Sequence, residues 1–137
     1  MGTDQYHEPP EELPEETRTF ARLCTSLTEE AEAIGWYEQR LAVERDPEAA
    51  AVMSDAVGEE YKHFSMDLEF LLRRTPKWRE IAKGVLFQEG DIVEHGEAAE
   101  AAADDDDDDA PGTGSKLTGS VPGANSLGIG SLRGAGL

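Results

Sequence analysis

Apolar residues recur between positions 20 and 41 at alternating steps of three and four: Phe20, Leu23, Leu27, Ile34 and Leu41, with Glu30 and Tyr37 filling the two remaining places of the series. This is the heptad-type seam of an amphipathic helix. Pro14 suits a first turn, and Glu15 and Glu16 suit the positive end of a helix dipole, so the pattern predicts a helix from about residue 14 to the "VERDPEA" stretch at 43–49. Asp46 is a good N-cap and Pro47 a good first-turn residue for a second helix reaching Arg74, where Arg73 and Arg74 favour the negative end. Thr75 and Pro76 repeat the start signal for a third, shorter helix to about Gln88. The connection between the first two helices is short, which predicts an antiparallel hairpin. No run alternates long enough for a strand. The expected fold class is all-α: an antiparallel two-helix hairpin plus a short third helix.

The flanks read differently. Residues 1–13 are a polar, Pro-containing lead-in, and 98–124 are dominated by Ala, Asp, Gly, Ser, Thr and Pro, including the block "DDDDDD" at 104–109. Such a composition predicts a flexible, extended linker. The final stretch "NSLGIGSLRGAGL", 125–137, returns to apolar residues at Leu127, Ile129 and Leu132, spaced by glycine. The expected organisation is a helical domain over 1–97, a linker over 98–124 and a terminal peptide over 125–137. That leaves about 95 residues for a folded core, a small one that gains from assembly with other copies.

Charge narrows the partners. The formal net charge is −18, which makes nucleic acid and anionic membranes poor partners and cations good ones. The acidic bias suits either a salt-adapted cytoplasm or an ordinary acidic protein. There is no signal peptide and no apolar run near the roughly 18 residues that span a membrane, so a soluble cytoplasmic protein is expected. The single cysteine, Cys24, excludes an internal disulfide and any multi-Cys metal site.

Glu30 stands where the seam calls for an apolar side chain. A carboxylate there must find a partner, either an arginine across an interface or a metal ion. The second helix carries "GEEYKHF", 58–64, in which Glu60 and His63 are three apart and share a face. Glu-x-x-His is the helical half-motif of carboxylate-bridged di-iron and di-manganese sites, although Glu59, four before His63, competes for the same role. A bundle-type site needs a Glu from each of two helices and Glu-x-x-His from each of two others. This chain supplies one of each. A two-fold pair of chains would complete both the site and a four-helix bundle, placing the metal between subunits. Tyr37, two turns from Glu30, is either a core residue or a hydrogen-bond donor to a ligand carboxylate. Glu29, Glu32 and Trp36 are either ordinary surface groups or a metal-attracting approach beside the site.

At this point the sequence resembles a known family. "EEAEAIGWYEQR" (29–40), "EEYKHFSMDLEFLLRR" (59–74) and "KGVLFQEG" (83–90) occur in the order and spacing of the encapsulated ferritins, and "HEP" (7–9) is similar to their lead-in. The resemblance covers roughly residues 7–95. It implies a ferritin-like four-helix unit formed only on dimerisation, assembly into a ring, typically a decamer, and oxidation of Fe(II) to Fe(III) by oxygen at a di-iron centre. It also implies packaging inside an encapsulin nanocompartment that stores the iron. Carried over residue by residue, it makes Glu30, Glu60 and His63 of both chains the iron ligands and favours Glu60 over Glu59. It makes Tyr37 the tyrosine beside the ligands, and Glu29, Glu32 and Trp36 the approach surface. "SLGIGSLR" resembles the peptide that docks such cargo to the encapsulin shell, with Leu127, Ile129 and Leu132 as anchors. Gly35 and Lys62 depart from the family pattern, which often has acidic residues there.

A competing expectation is a non-catalytic acidic helical adaptor whose seam Glu only sets oligomer register. A rubrerythrin-like peroxidase is disfavoured, since one chain lacks a second Glu-x-x-His.

Overall fold

The structure is a computed structural model describing residues 5–108. A short 3-10 turn, Pro10–Glu12, leads into α1 (Glu15–Val43), followed by α2 (Pro47–Arg74), α3 (Pro76–Val85) and α4 (Ile92–Asp108). Among the described residues there is no strand, as the sequence pattern expects.

α1 and α2 form the antiparallel hairpin, joined by residues 44–46. The turn is closed by two carboxylates. Glu44 Oε1 accepts from the backbone N–H groups of Arg45 and Asp46, both at 2.8 Å. Asp46 caps α2 as anticipated, accepting from the N–H groups of Glu48 and Ala49 at 2.9 Å. Pro14 instead occupies the position just before α1, and Thr75 gives α3 no side-chain cap; its backbone N–H bonds to the Leu72 carbonyl at 3.3 Å, finishing α2.

All seven α1 seam positions are half-buried. α2 meets them with a stripe of the same spacing: Ala50, Met53, Val57, Glu60, Phe64, Asp67 and Leu71, of which Val57 and Leu71 are 5% and 0% exposed. Two helices can cover only one side of each other, so large apolar side chains beside the seam stay open. Trp36, Val52, Tyr61 and Met66 are each about half or more exposed. Tyr61 also ties the helices together, its hydroxyl donating to Glu38 Oε1 at 2.9 Å.

α3 is pinned to α2 by Glu69, which accepts from Arg73 Nε at 2.8 Å and from Arg79 Nη1 at 3.4 Å. α3 also ends earlier than the sequence suggests, at Val85 rather than near Gln88, because Phe87 adopts φ +61° and Gly90 φ +106°, a reversal no helix can follow.

α4 corrects the expected linker boundary. Residues 98–108 are helical, not extended. The signals were present but outweighed by composition: Asp91 caps the helix through the N–H groups of Val93 and Glu94, at 2.8 and 3.0 Å. An alanine run follows, and alanine has the highest helix propensity. Packing then retains it. Ala103 is 7% exposed, and Lys77 at the start of α3 pairs with Asp104 near the end of α4. That ion pair relieves part of the unfavourable placement of aspartates at the negative end of a helix dipole. Residues 109–124 of the expected linker, and the terminal peptide with Leu127, Ile129 and Leu132, lie outside the described residues.

The α3–α4 contact is tight at Gly84, where a Cβ would come within 2.5 Å of Ala99 Cβ. A valine here should cost about 1–3 kcal/mol of overpacking, more than the few tenths to about 1 kcal/mol it recovers in helix propensity. Gly84→Val should therefore speed amide hydrogen exchange across α4 while leaving α1 and α2 protected. Unchanged exchange in α4 would mean the helix is held by its own propensity rather than by α3.

Candidate metal centre

The hairpin turn is centred near residue 45, so positions 30 and 60 fall opposite each other across the α1–α2 seam. The structure brings together Glu30 from α1 and Glu60 and His63 from α2, with one ligand atom of each lying within 4.8 Å of the others. His63 Nδ1 is 3.5 Å from Glu60 Oε2 and 4.0 Å from Glu30 Oε2. The two carboxylates are mostly buried in the hairpin, at 23% and 22% side-chain exposure, whereas His63 is 45% exposed. The group is closed on the hairpin side and open on the other.

Glu59 and Glu60 differ in where each side chain points. Glu59 is exposed and ion-paired with Lys62, which holds its carboxyl below the usual carboxylate range. Lys62 is thereby drawn away from His63 and Glu60. Gly35 has open space where a Cβ would lie, so nothing in the hairpin requires glycine there.

Electrostatically the site is short of positive charge. Glu30 is pushed above the usual carboxylate range. A hydrogen bond shared with Glu60 is the largest cause, followed by burial and the negative charge of Glu60; Asp67 adds to the shift and His63 opposes it. A cation between the carboxylates would remove that conflict. Two carboxylates and an imidazole nitrogen are hard oxygen donors with one borderline nitrogen, a set that fits Fe(II) or Mn(II) rather than thiophilic metals. The residues present therefore fit half of a two-metal carboxylate centre.

The remaining candidates separate by position. Tyr37 is half-buried on the same seam, but its ring faces the Arg40 guanidinium, 5.2 Å from the ring centroid. No hydrogen bond joins it to Glu30 or Glu60 among the described residues. Glu29, Glu32 and Trp36 share the exposed face of α1, outside the three-residue group. His95 serves the α3–α4 turn, with Nε2 2.8 Å from the Glu89 carbonyl oxygen. Sequence reasoning missed Asp67. The signal was available, since 60, 64, 67 and 71 continue the α2 seam and put a second carboxylate in it one turn beyond His63.

The profile of the EncFtn-like family matches residues 5–89, which include the whole hairpin and all three clustered residues. The chain belongs to the EncFtn-like family. Among similar EncFtn-like and ferritin-like proteins, an "Encapsulated ferritin-like protein" of Rhodospirillum rubrum is 41% identical over 134 residues, covering 98% of this chain and 91% of that protein. A "Ferritin-like protein" of Thermotoga maritima is also 41% identical, over 91 residues, 66% of this chain and 80% of its own length. A crystal structure of a Nitrosomonas europaea protein superposes with a TM-score of 0.64 at 38% identity, covering 66% of this chain and 99% of that one. The EncFtn-like fold expected from the quoted motifs is thus the fold of this chain. Among the described residues no helix is long and apolar enough to cross a membrane.

Proposed function

We propose that this EncFtn-like chain is a ferroxidase, oxidising Fe(II) to Fe(III) with oxygen at a centre shared by two copies, and that it works as cargo of an encapsulin shell. The observation that carries this reading is the convergence of Glu30, Glu60 and His63 within 4.8 Å on the open side of a hairpin. A second copy related by a two-fold axis would supply the other three ligands and cover the exposed half of the seam at once. The names of the Rhodospirillum and Thermotoga relatives point the same way.

Fe(II) is here the substrate, and each ion gives up one electron to oxygen. The chain's own contribution is positional. Glu30, Glu60 and His63 of each copy would hold the ions between the two chains, and the bound iron would supply the electrons that reduce oxygen. Glu29, Glu32 and Trp36 form the surface over which Fe(II) approaches. Tyr37 donates to a ligand carboxylate once the partner is in place. Dimers assemble further into a ring, a decamer in this reading, whose tails bind the shell through Leu127, Ile129 and Leu132. The oxidised iron is then mineralised inside the nanocompartment.

Metal binding and association are linked, since neither chain alone completes the site. Anaerobic titration with Fe(II) should saturate at two ions per dimer and shift the sedimentation profile of the metal-free protein toward dimers and larger rings. An acidic adaptor would assemble equally well without metal and bind no stoichiometric iron. That outcome would overturn the reading.

A further inference from the structure

Asp67 is a carboxylate with no assigned task. It occupies a seam position of α2, half-buried, four residues after His63 and seven after Glu60. It therefore shares their helix face, displaced along the axis by about 6 Å from His63 and about 10 Å from Glu60. Among the described residues no lysine, arginine or histidine forms an ion pair with it. Its charge reaches the site, because it acts on Glu30 across the seam. A half-buried carboxylate that shares its seam with Glu30 and Glu60 is costly unless something positive comes close.

The proposed reaction supplies that positive charge. Four carboxylates and two neutral imidazoles from a pair of chains carry −4, which balances two Fe(II) ions at +4. The two electrons lost by the ions reduce one oxygen molecule, which leaves as hydrogen peroxide with two protons taken from solvent; the iron pair then carries +6 and the centre is left at +2. Two Asp67 carboxylates, one from each chain, would bring this missing −2 to within about one to two helical turns of the ligands. We propose that Asp67 is a positioning residue for charge, not a ligand: its carboxylate offsets the positive charge that develops on iron oxidation and thereby tightens retention of Fe(III) more than binding of Fe(II). The inference rests on the ferroxidase reading of Glu30, Glu60 and His63.

The test uses Asp67→Asn, which keeps shape and removes charge, Asp67→Glu, which keeps charge, and Glu60→Gln as a ligand control, all in the full chain. Anaerobic equilibrium dialysis gives Fe(II) affinity, and transfer of the oxidised iron to a ferric chelator gives Fe(III) retention. Asp67→Asn should weaken Fe(II) binding by about threefold to tenfold at low salt and speed Fe(III) release by a larger factor, as expected for a charge about 8 Å from a more highly charged ion. Both effects should shrink as ionic strength rises, and Asp67→Glu should restore them; a purely structural role would show neither trait. Wild-type affinity, release and salt dependence in Asp67→Asn would overturn the proposal. Wild-type Fe(II) affinity in Glu60→Gln would instead overturn the underlying ferroxidase site, and this inference with it.

Discussion

Replacing Glu60 by alanine should lower the initial rate of Fe(II) oxidation by about 100-fold or more, and do so without destabilising the metal-free protein. The magnitude follows from its place in the site. Removing groups that merely support a metal ligand already costs about tenfold to 100-fold, and Glu60 is the one carboxylate beside both His63 and Glu30. The second half of the expectation follows from charge. Glu30 is held above its ordinary pKa mainly by Glu60, so ionised Glu30 is disfavoured in the folded chain. The folded metal-free protein therefore binds a proton more tightly than the unfolded chain. It loses stability as pH rises through the raised pKa and regains it as pH falls. Without Glu60 that penalty is relieved, and the melting temperature of the metal-free variant near neutral pH should equal or exceed wild type, with a weaker pH dependence. Oxygen consumption with Fe(II) and thermal unfolding at several pH values check both halves. A variant that oxidises iron at the wild-type rate would remove Glu60 from the site. One that fails only because it is unfolded would show a depressed melting temperature.

Deleting residues 125–137 should abolish packaging while leaving oxidation intact. The peptide is separated in sequence from the hairpin by α3, α4 and the residues after them, and Glu30, Glu60 and His63 all lie within the hairpin. Leu127, Ile129 and Leu132 alternate with residues that include Gly128 and Gly130, a pattern suited to a short extended segment laid into pockets on a wall. One such tail binds modestly because ordering it costs entropy. In the proposed ring, many such tails would gain avidity, by about 100-fold or more over a single contact. Loss of the tail should thus convert near-complete co-purification with a co-expressed shell protein into background. The replacement of Leu127 and Leu132 by Asp should give the same result without shortening the chain. Truncated protein that still co-sediments with shells would place the docking contact elsewhere.

α4 is a helix where linker was expected. Composition judged residues 98–108 by what they could bury alone. The run of alanines needs to bury little, because its backbone hydrogen bonds are local and α3 already offers a matching small-residue surface at Gly84. The cap at Asp91 was legible; the pairing of Lys77 with Asp104 was not, as it joins residues far apart in sequence.

What the sequence determined by itself is what depends on local spacing. The three- and four-residue steps of the seam, the caps at Asp46 and the prolines at 47 and 76 sufficed to delimit the hairpin, and the i, i+3 spacing put Glu60 and His63 on one face. The order of motifs was enough for the family. Tertiary structure alone decided which charges meet. Glu59 and Glu60 are neighbours with identical chemistry; Glu59 pairs within α2 with Lys62, three residues on, whereas the approach of Glu60 to Glu30 depends on the packing of α1 against α2. The seam position of Asp67 was there in the spacing of α2, but its action on Glu30 depends on how α2 lies against α1. Periodicity specifies a face, since it follows from helix geometry. Which charge approaches which depends on distances between helices, and no pattern within one helix contains them.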